Sequence, residues 1–109
     1  MTRKILKRER AKRDIIELAA HIAHDNLEAA ERFITAVETA FRLLAHTPGA
    51  GALRGSLDPA LANLRMWPVR GFEKHLIFYR ETPDGLEIIR VLHAARDIEA
   101  LFPEEEVDP

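Results

Sequence analysis

The spacing of apolar positions predicts two consecutive helices in the first half of the chain. From about Arg10 to about His24, apolar residues recur at the spacing of a helix that buries one face. These residues are Ile15, Leu18, Ala19 and Ile22. A second helix is expected to begin at Asp25, an N-cap with Glu28 three residues later as in a capping box, and to end before Pro48. Its apolar face comprises Ala30, Phe33, Ile34, Val37, Phe41 and Leu44. So short a link between two helices predicts an antiparallel hairpin.

The second half of the chain has the pattern of β-strands separated by turn residues. Residues 47–63 are rich in proline and glycine and are expected to form a loop, with a turn of helix near Pro59. Three strands are predicted after it, over residues 64–69, 74–81 and 86–93. The turn sequence between the last two favours antiparallel pairing.

Two short elements are expected at the ends of the domain. Residues 3–8 form an N-terminal strand, and Asp97 caps a last short helix that Pro103 terminates. The predicted fold class is therefore α+β, with an N-terminal strand, an antiparallel helical hairpin packed on a small antiparallel sheet, and a short C-terminal helix. A single domain is expected over residues 1–103, followed by an acidic, mobile tail at 104–109.

Composition narrows the possible classes of function. A chain of 109 residues with 47% hydrophobic and 31% charged residues is one globular domain with no room for a large cofactor pocket. The absence of cysteine excludes a thiolate nucleophile, a disulfide and a cysteine-based zinc site. No segment approaches the ~20 apolar residues that span a bilayer. We therefore expect a soluble, cytoplasmic protein that uses no cofactor and binds no membrane.

The charges are divided between the two ends of the chain. Residues 1–13 contain seven basic side chains and one acid, whereas residues 97–109 contain six acids and no base. A basic end can attract nucleic acid or an acidic protein. The alternative is that both ends are solvated edges that pair with each other.

Four segments in the second half of the chain resemble one toxin superfamily. They are Pro48-x-x-Gly51, Leu64-Arg65-x-Trp67-Pro68-Val69-x-Gly71-Phe72, Leu76-Ile77-Phe78-Tyr79-Arg80, and Ile88-x-Arg90-Val91-Leu92-His93-x-x-Arg96-Asp97. Together with the order of elements, they resemble the ParE branch of the RelE/ParE superfamily over roughly residues 3–102.

This resemblance implies the toxin of a type II toxin–antitoxin module, neutralised by direct binding of a cognate, ParD-like antitoxin. ParE-like members are associated with poisoning DNA gyrase, and RelE-like members with cleaving mRNA on the ribosome. The interpretation we favour is a ParE-like toxin that inhibits gyrase by binding it, without catalysis and without sequence-specific nucleic-acid binding. The alternatives are a RelE-like ribosome-dependent endoribonuclease and an orphan binding module that has lost its toxicity.

The strands contain side chains that a metal-independent ribonuclease could use. Such an enzyme needs a base for the ribose 2′-hydroxyl, cations for the phosphate and an acid for the leaving oxygen. The catalytic candidates are Arg65, Lys74, Tyr79, Arg90 and His93, and His75 and Arg80 have suitable side chains as well. RelE-like nucleases generally keep a catalytic Tyr or His near the C-terminus. Here no Tyr follows Arg90, which leaves His93 as the possible substitute.

Each of these side chains also has a structural interpretation. Arg80 and Arg90 can pair with neighbouring acids such as Glu87 across strands. The hydroxyl of Tyr79 can bond to the backbone while its ring packs. His93 can bond to the backbone of the following turn or pair with Asp97.

Other catalytic arrangements find little support in the sequence. His21 and His24 lie one helical turn apart beside Asp25, but no third metal ligand converges on them in sequence, so no metal site is predicted. Ser56 is the only serine, and no Ser-His-Asp arrangement is visible. The glycines lack the Lys-Ser/Thr and helix of a phosphate loop.

Two apolar groups are candidates for protein binding. Trp67 and Phe72 flank a bend of the sheet, where they either complete the core or receive the antitoxin. Ile98, Leu101 and Phe102 lie in the predicted C-terminal helix. They either contact the target or cover the edge of the sheet.

Overall fold

The helices and strands of the chain were identified in a computed structural model, which describes residues 4–55 and 58–97. The elements in chain order are β1 (Lys4–Lys7), α1 (Glu9–Asp25), α2 (Leu27–His46), β2 (Ala52–Leu53), β3 (Arg65–Val69), β4 (Phe72–Thr82) and β5 (Gly85–His93). Short 3₁₀ turns lie at Pro48–Ala50 and Pro59–Leu61, the second where a turn of helix is predicted. The predicted C-terminal helix and the acidic tail lie outside the described residues.

The helical hairpin is confirmed, but its connection differs from the prediction by one residue. Asp25 is not the N-cap of the second helix, because it is still the last residue of α1. Asn26, which alone separates the helices, adopts an extended backbone, and its side-chain oxygen accepts a hydrogen bond of 3.1 Å from the backbone N–H of Ala29. The residue that leaves the helical conformation is the one whose side chain can reach the free N–H groups of the next helix.

The sheet has five strands in the order β1-β5-β4-β3-β2 and is mixed, not antiparallel throughout. The antiparallel pairing of β3 with β4 and of β4 with β5 is confirmed, whereas β1 pairs parallel with β5. Two antiparallel helices followed by four alternating strands leave β5 running in the direction of β1, which accounts for the parallel pair. The strand β2 was not predicted, since its two residues are too few to show a period.

The helices cover one face of the sheet, and the main core lies between the helices and that face. Phe33, Val37 and Phe41 of α2 and Ile77 of β4 are fully buried, as the pattern predicts. The prediction that Ile34 belongs to the core is wrong, because 44% of this residue is exposed. A helical period gives the direction of the buried face but not its width. A second cluster occupies the opposite face of the sheet, around Leu61, Leu64, Phe78, Ile89 and Leu92.

Candidate functional site

Tyr79 and Arg65 hold the turn that follows α2. The Tyr79 side chain is fully buried, and its hydroxyl donates to the carbonyl of Pro48 (2.7 Å) and accepts from the N–H of Gly51 (2.9 Å). Arg65, opposite Tyr79 on β3, donates through Nη1 to the carbonyl of Gly51 at 2.7 Å. A side chain at Gly51 would collide with the ring of Tyr79, so glycine is required there. Burial raises the pKa of the Tyr79 hydroxyl, which keeps it protonated as a donor.

Arg90 is bound by a buried carboxylate on α1. Only 4% of Asp14 is exposed. Its oxygens accept hydrogen bonds from Arg90 Nε (2.7 Å), Arg90 Nη2 (3.0 Å) and the backbone N–H of Val91 (3.1 Å). Arg10, one turn earlier on α1, approaches the same carboxylate at 2.9 Å. The charged groups border a cavity of about 350 Å³ between α1 and the end of β5.

The expected pairing of arginines with strand acids therefore holds for Arg80 and is wrong for Arg90. Arg80 Nε lies 2.6 Å from Glu87 Oε1 on the neighbouring strand. Sequence reasoning missed Asp14, although a signal was present. Asp14 is an acid on the buried stripe of α1, one helical turn from Ala11 and from Leu18.

His75 and His93 form an aromatic cluster with two phenylalanines at the end of the sheet nearest Phe72. The ring centroid of His75 lies 5.2 Å from that of His93 and 5.0 Å from that of Phe33. Phe72 packs edge-on against Phe33 at 5.3 Å. The Nδ1 atom of His75 is buried and has no hydrogen-bond partner among the described residues. Burial, with the charge of His93 as a second cause, lowers the pKa of His75 below its usual value.

His93 bonds to the turn that follows β5, as its structural interpretation predicts. Its backbone N–H donates to Asp97 Oδ2 at 3.1 Å, and its ring Nδ1 accepts from the backbone N–H of Ala95 at 3.3 Å. Hydrogen bonds from Arg96 and from the His93 backbone hold the pKa of Asp97 below its usual value, against the opposing effect of its burial. Asp97 thus remains an acceptor for the turn near neutral pH.

The five nuclease candidates do not meet at one point. His93 lies opposite His75, and Tyr79 is four positions further along β4 than His75, or about 13 Å away at the rise of a strand. Lys74 is exposed and, by the alternation of a strand, points to the face opposite His75. Arg90 is directed to α1 by Asp14. Among the described residues, the structure brings Arg65 and Tyr79 together at Gly51, and His75 and His93 together further along the sheet.

The structure describes two of the five candidates for protein binding. Trp67 and Phe72 are half-buried and pack against the main core. Phe72 also lines a shallow groove of about 380 Å³ over residues 71–75, so that part of its ring is available to a partner. Ile98, Leu101 and Phe102 lie outside the described residues. Among the described residues, no three His, Asp or Glu side chains gather as a metal site.

Comparison with known proteins identifies the family. No curated protein sequence matches the chain. None of the helices in the described part of the chain has the length and apolar character needed to cross a membrane. The family model for the ParE toxin of the type II toxin–antitoxin system parDE matches residues 5–98, which span all of the helices and strands described above apart from the first residue of β1. The chain belongs to the ParE toxin family of type II toxin–antitoxin systems.

Proposed function

We propose that this toxin acts in the cytoplasm by binding DNA gyrase, and that a cognate, ParD-like antitoxin neutralises it by binding it directly. Membership in the ParE family supports the antitoxin part, because the matched family is the toxin of a toxin–antitoxin system, and the association of ParE-like members with gyrase supports the choice of target. In this interpretation the chain inhibits its target through surface contacts and performs no chemical step.

The observation that carries the proposal is the use of the catalytic candidates within the fold. Arg65 and Tyr79 bind the backbone of the turn at Pro48–Ala50 and Gly51, and Arg90 donates two hydrogen bonds to the buried carboxylate of Asp14. A cation that already donates to a buried carboxylate is a poor ligand for a phosphate, because moving it would leave that carboxylate unpaired. Three of the five side chains that a nuclease would use therefore already form hydrogen bonds that hold the fold together.

We propose that the target contacts include Ile98, Leu101 and Phe102. Apolar anchors dominate most protein–protein interfaces, and these three follow the last strand at the spacing of one helical face. They extend the chain beyond the turn at residues 94–97.

A supercoiling assay with purified gyrase tests the proposal. We expect the unmodified chain to block supercoiling and to leave ribosome-bound mRNA intact. Leu101→Ala and Phe102→Ala should each weaken inhibition about tenfold or more, because each removes an apolar anchor. The matched controls His93→Ala and Lys74→Ala should retain inhibition to within about threefold, provided that circular dichroism shows them folded. Uninhibited supercoiling by the folded, unmodified chain would contradict the proposal.

The antitoxin part is tested by a second pair of variants. We propose that Trp67 and Phe72 contribute to the antitoxin surface, since both are half-buried and Phe72 lines a groove. Phe72→Ala should weaken binding of the protein encoded beside this chain about tenfold, whereas Leu43→Ala, on the exposed side of α2, should leave it unchanged. Equal binding by both variants would remove Phe72 from that surface.

A ribosome-dependent nuclease is a second candidate because of one observation. His75 and His93 lie side by side, and the lowered pKa of His75 leaves a neutral imidazole able to accept a proton. The test is whether the chain cleaves ribosome-bound mRNA and whether His93→Ala or Tyr79→Phe reduces that cleavage by ~10²-fold. Such a result, with no inhibition of supercoiling by gyrase, would establish this function in place of gyrase binding.

A further inference from the structure

The outer edge of β1 carries unpaired backbone groups. β1 is the terminal strand of the sheet and bonds to β5 on one side only. The N–H groups of Lys4 and Arg8 donate to the carbonyls of Asp84 and Ile88. Because bonding direction alternates along a strand, the N–H and C=O groups of Ile5 and Lys7 point away from β5. No described backbone group bonds to them.

The side chains next to this edge combine one apolar and two basic positions. Lys4, Leu6 and Arg8 alternate with Ile5, which packs towards the main core, so all three lie on the opposite face of the sheet. Leu6 is 63% exposed, so an added strand could cover its side chain. A groove of about 490 Å³ at this end of the sheet is lined by Leu6 together with Ile5, Thr82 and Leu86.

Arg8 is held in place by a carboxylate that it shares. Glu87, of whose side chain 12% is exposed, accepts Arg8 Nε at 2.9 Å and Arg80 Nε at 2.6 Å. Both arginines lower the pKa of Glu87 against the effect of its burial, which keeps it ionised. Two guanidinium groups therefore share one negative charge. Within the described part of the chain each bonds through Nε alone, which leaves its Nη groups for a second carboxylate.

We propose that the antitoxin adds an extended, acidic segment to the free edge of β1 as a sixth strand. This inference rests on the proposed function, because it names the surface where that partner binds. The main chain of the segment pairs with Ile5 and Lys7. The side chains that it places beside Lys4, Leu6 and Arg8 are an acid, an apolar residue and an acid at alternate positions.

Charge and strand length support an acidic strand at this edge over one at the other end of the sheet. The described residues 4–8 include Lys4, Lys7 and Arg8 and no acid, so the edge attracts a negatively charged segment. The opposite edge is β2, whose two residues offer less than one repeat of the hydrogen-bond pattern. Asp84 also borders the groove beside Lys4, whose N–H donates to its carbonyl, so Arg8 is the position that favours an acid most.

Amide hydrogen exchange on the full chain tests the pairing directly. The probe is the full-length protein encoded beside this chain. On binding, the amides of Ile5 and Lys7 should exchange at least tenfold more slowly, since each gains a hydrogen bond. The amide of Leu6 should change little, because it already bonds to β5. Unchanged exchange at Ile5 and Lys7 in a formed complex would overturn the inference.

Two matched pairs of variants separate backbone from side-chain recognition. Lys7→Pro removes the outward N–H and blocks the edge, whereas Lys7→Ala removes the same side chain but keeps the N–H. We expect at least tenfold weaker binding for Lys7→Pro than for Lys7→Ala. Leu6→Asp should likewise weaken binding tenfold, and Ile16→Asp, at a residue 68% exposed on α1, should not.

The outcomes distinguish this inference from the function on which it rests. If the partner binds and neutralises the toxin, but Lys7→Pro and Leu6→Asp bind as tightly as their folded controls, the edge of β1 is not the site and the proposed function is unaffected. If the partner does not bind the unmodified chain at all, neutralisation by direct binding is contradicted and this inference with it.

Discussion

Asp14 connects the first helix to the last strand through a carboxylate that is almost completely buried. It accepts three hydrogen bonds from Arg90 and Val91. Its removal would leave the Arg90 guanidinium, of whose side chain only 14% is exposed, with no ion-pair partner among the residues that the structure describes. An uncompensated buried charge is more costly than the loss of the pair as a whole.

We therefore predict that Asp14→Ala lowers the free energy of unfolding by about 3–5 kcal/mol. Urea unfolding followed by circular dichroism measures the loss. The matched control is Glu17→Ala on the same helix, which removes an exposed acid 3.6 Å from Arg10 and should cost less than about 1 kcal/mol. Similar losses in the two variants would show that the buried pair adds nothing beyond an exposed one.

His75 makes the stability of the fold depend on pH. Its folded-state pKa lies below the unfolded value of 6.5, because burial and the nearby charges of His93 and Arg96 disfavour the imidazolium and outweigh the opposing effects of the Phe72 backbone and Asp97. The unfolded chain therefore takes up the proton first as the pH falls. The contribution of His75 to the free energy of unfolding is therefore fully present above about pH 6.5. It decreases as the pH falls further, until His75 is protonated in the folded state as well.

His75→Phe should reduce this pH dependence, since phenylalanine fits among Phe33 and Phe72 and carries no proton. The measurement is the urea midpoint at pH 7.5 and at pH 5.5. The original chain should lose stability between the two values, and His75→Phe should lose less. His46→Gln, at an exposed site at the end of α2, should behave like the original chain. An unaltered difference in His75→Phe would assign the pH dependence to other groups.

At the scale of elements, the second helix contributes more and larger buried apolar side chains to the core than the first. Phe33, Val37, Phe41 and Leu44 are at most 1% exposed. We predict that Phe41→Ala costs about 3–5 kcal/mol, because the cavity adds to the lost burial. Ile34→Ala, on the same helix but at a residue 44% exposed, should cost below about 1.5 kcal/mol. Chemical denaturation of both variants provides the measurement, and a loss below about 1 kcal/mol for Phe41→Ala would show that this face of α2 is not the main contact.

The pairing of β1 with β5 depends on a close backbone approach. A side chain at Gly85 would collide with the backbone of Lys4, so the absence of a side chain there allows β1 to join the sheet. The same pairing leaves the opposite edge of β1 unbonded to any described residue. One glycine in β5 thus contributes to the surface on which the antitoxin is proposed to bind.

At the scale of the whole molecule, family membership leads to a prediction in cells. Expression of the chain alone in a bacterial host should arrest growth, and co-expression of the protein encoded beside it should restore growth. Optical density and colony counts after induction measure the effect. Asp14→Ala is a useful control, because a destabilised toxin should arrest growth less at equal expression. Normal growth at high soluble expression of the unmodified chain would indicate a binding module that has lost its toxicity.

Much of the architecture follows from local patterns in the sequence. The apolar spacing of residues 30–44 predicts α2, and the turn sequence between β4 and β5 predicts their antiparallel pairing, because neighbouring residues decide both. The structural interpretations of Tyr79 and His93 were likewise available from the sequence, since a buried hydroxyl or a ring nitrogen at the end of a strand needs a nearby backbone partner.

Only the tertiary structure decided which distant groups meet. Arg90 finds its partner 76 residues away on α1, and β1 lies beside β5 although the whole hairpin and three strands separate them in sequence. Neither contact leaves a periodic signal, because each depends on how elements stack and not on the residues next to it. For the same reason the sequence could name five catalytic candidates, but only folding showed that Arg65, Tyr79 and Arg90 are committed to the scaffold.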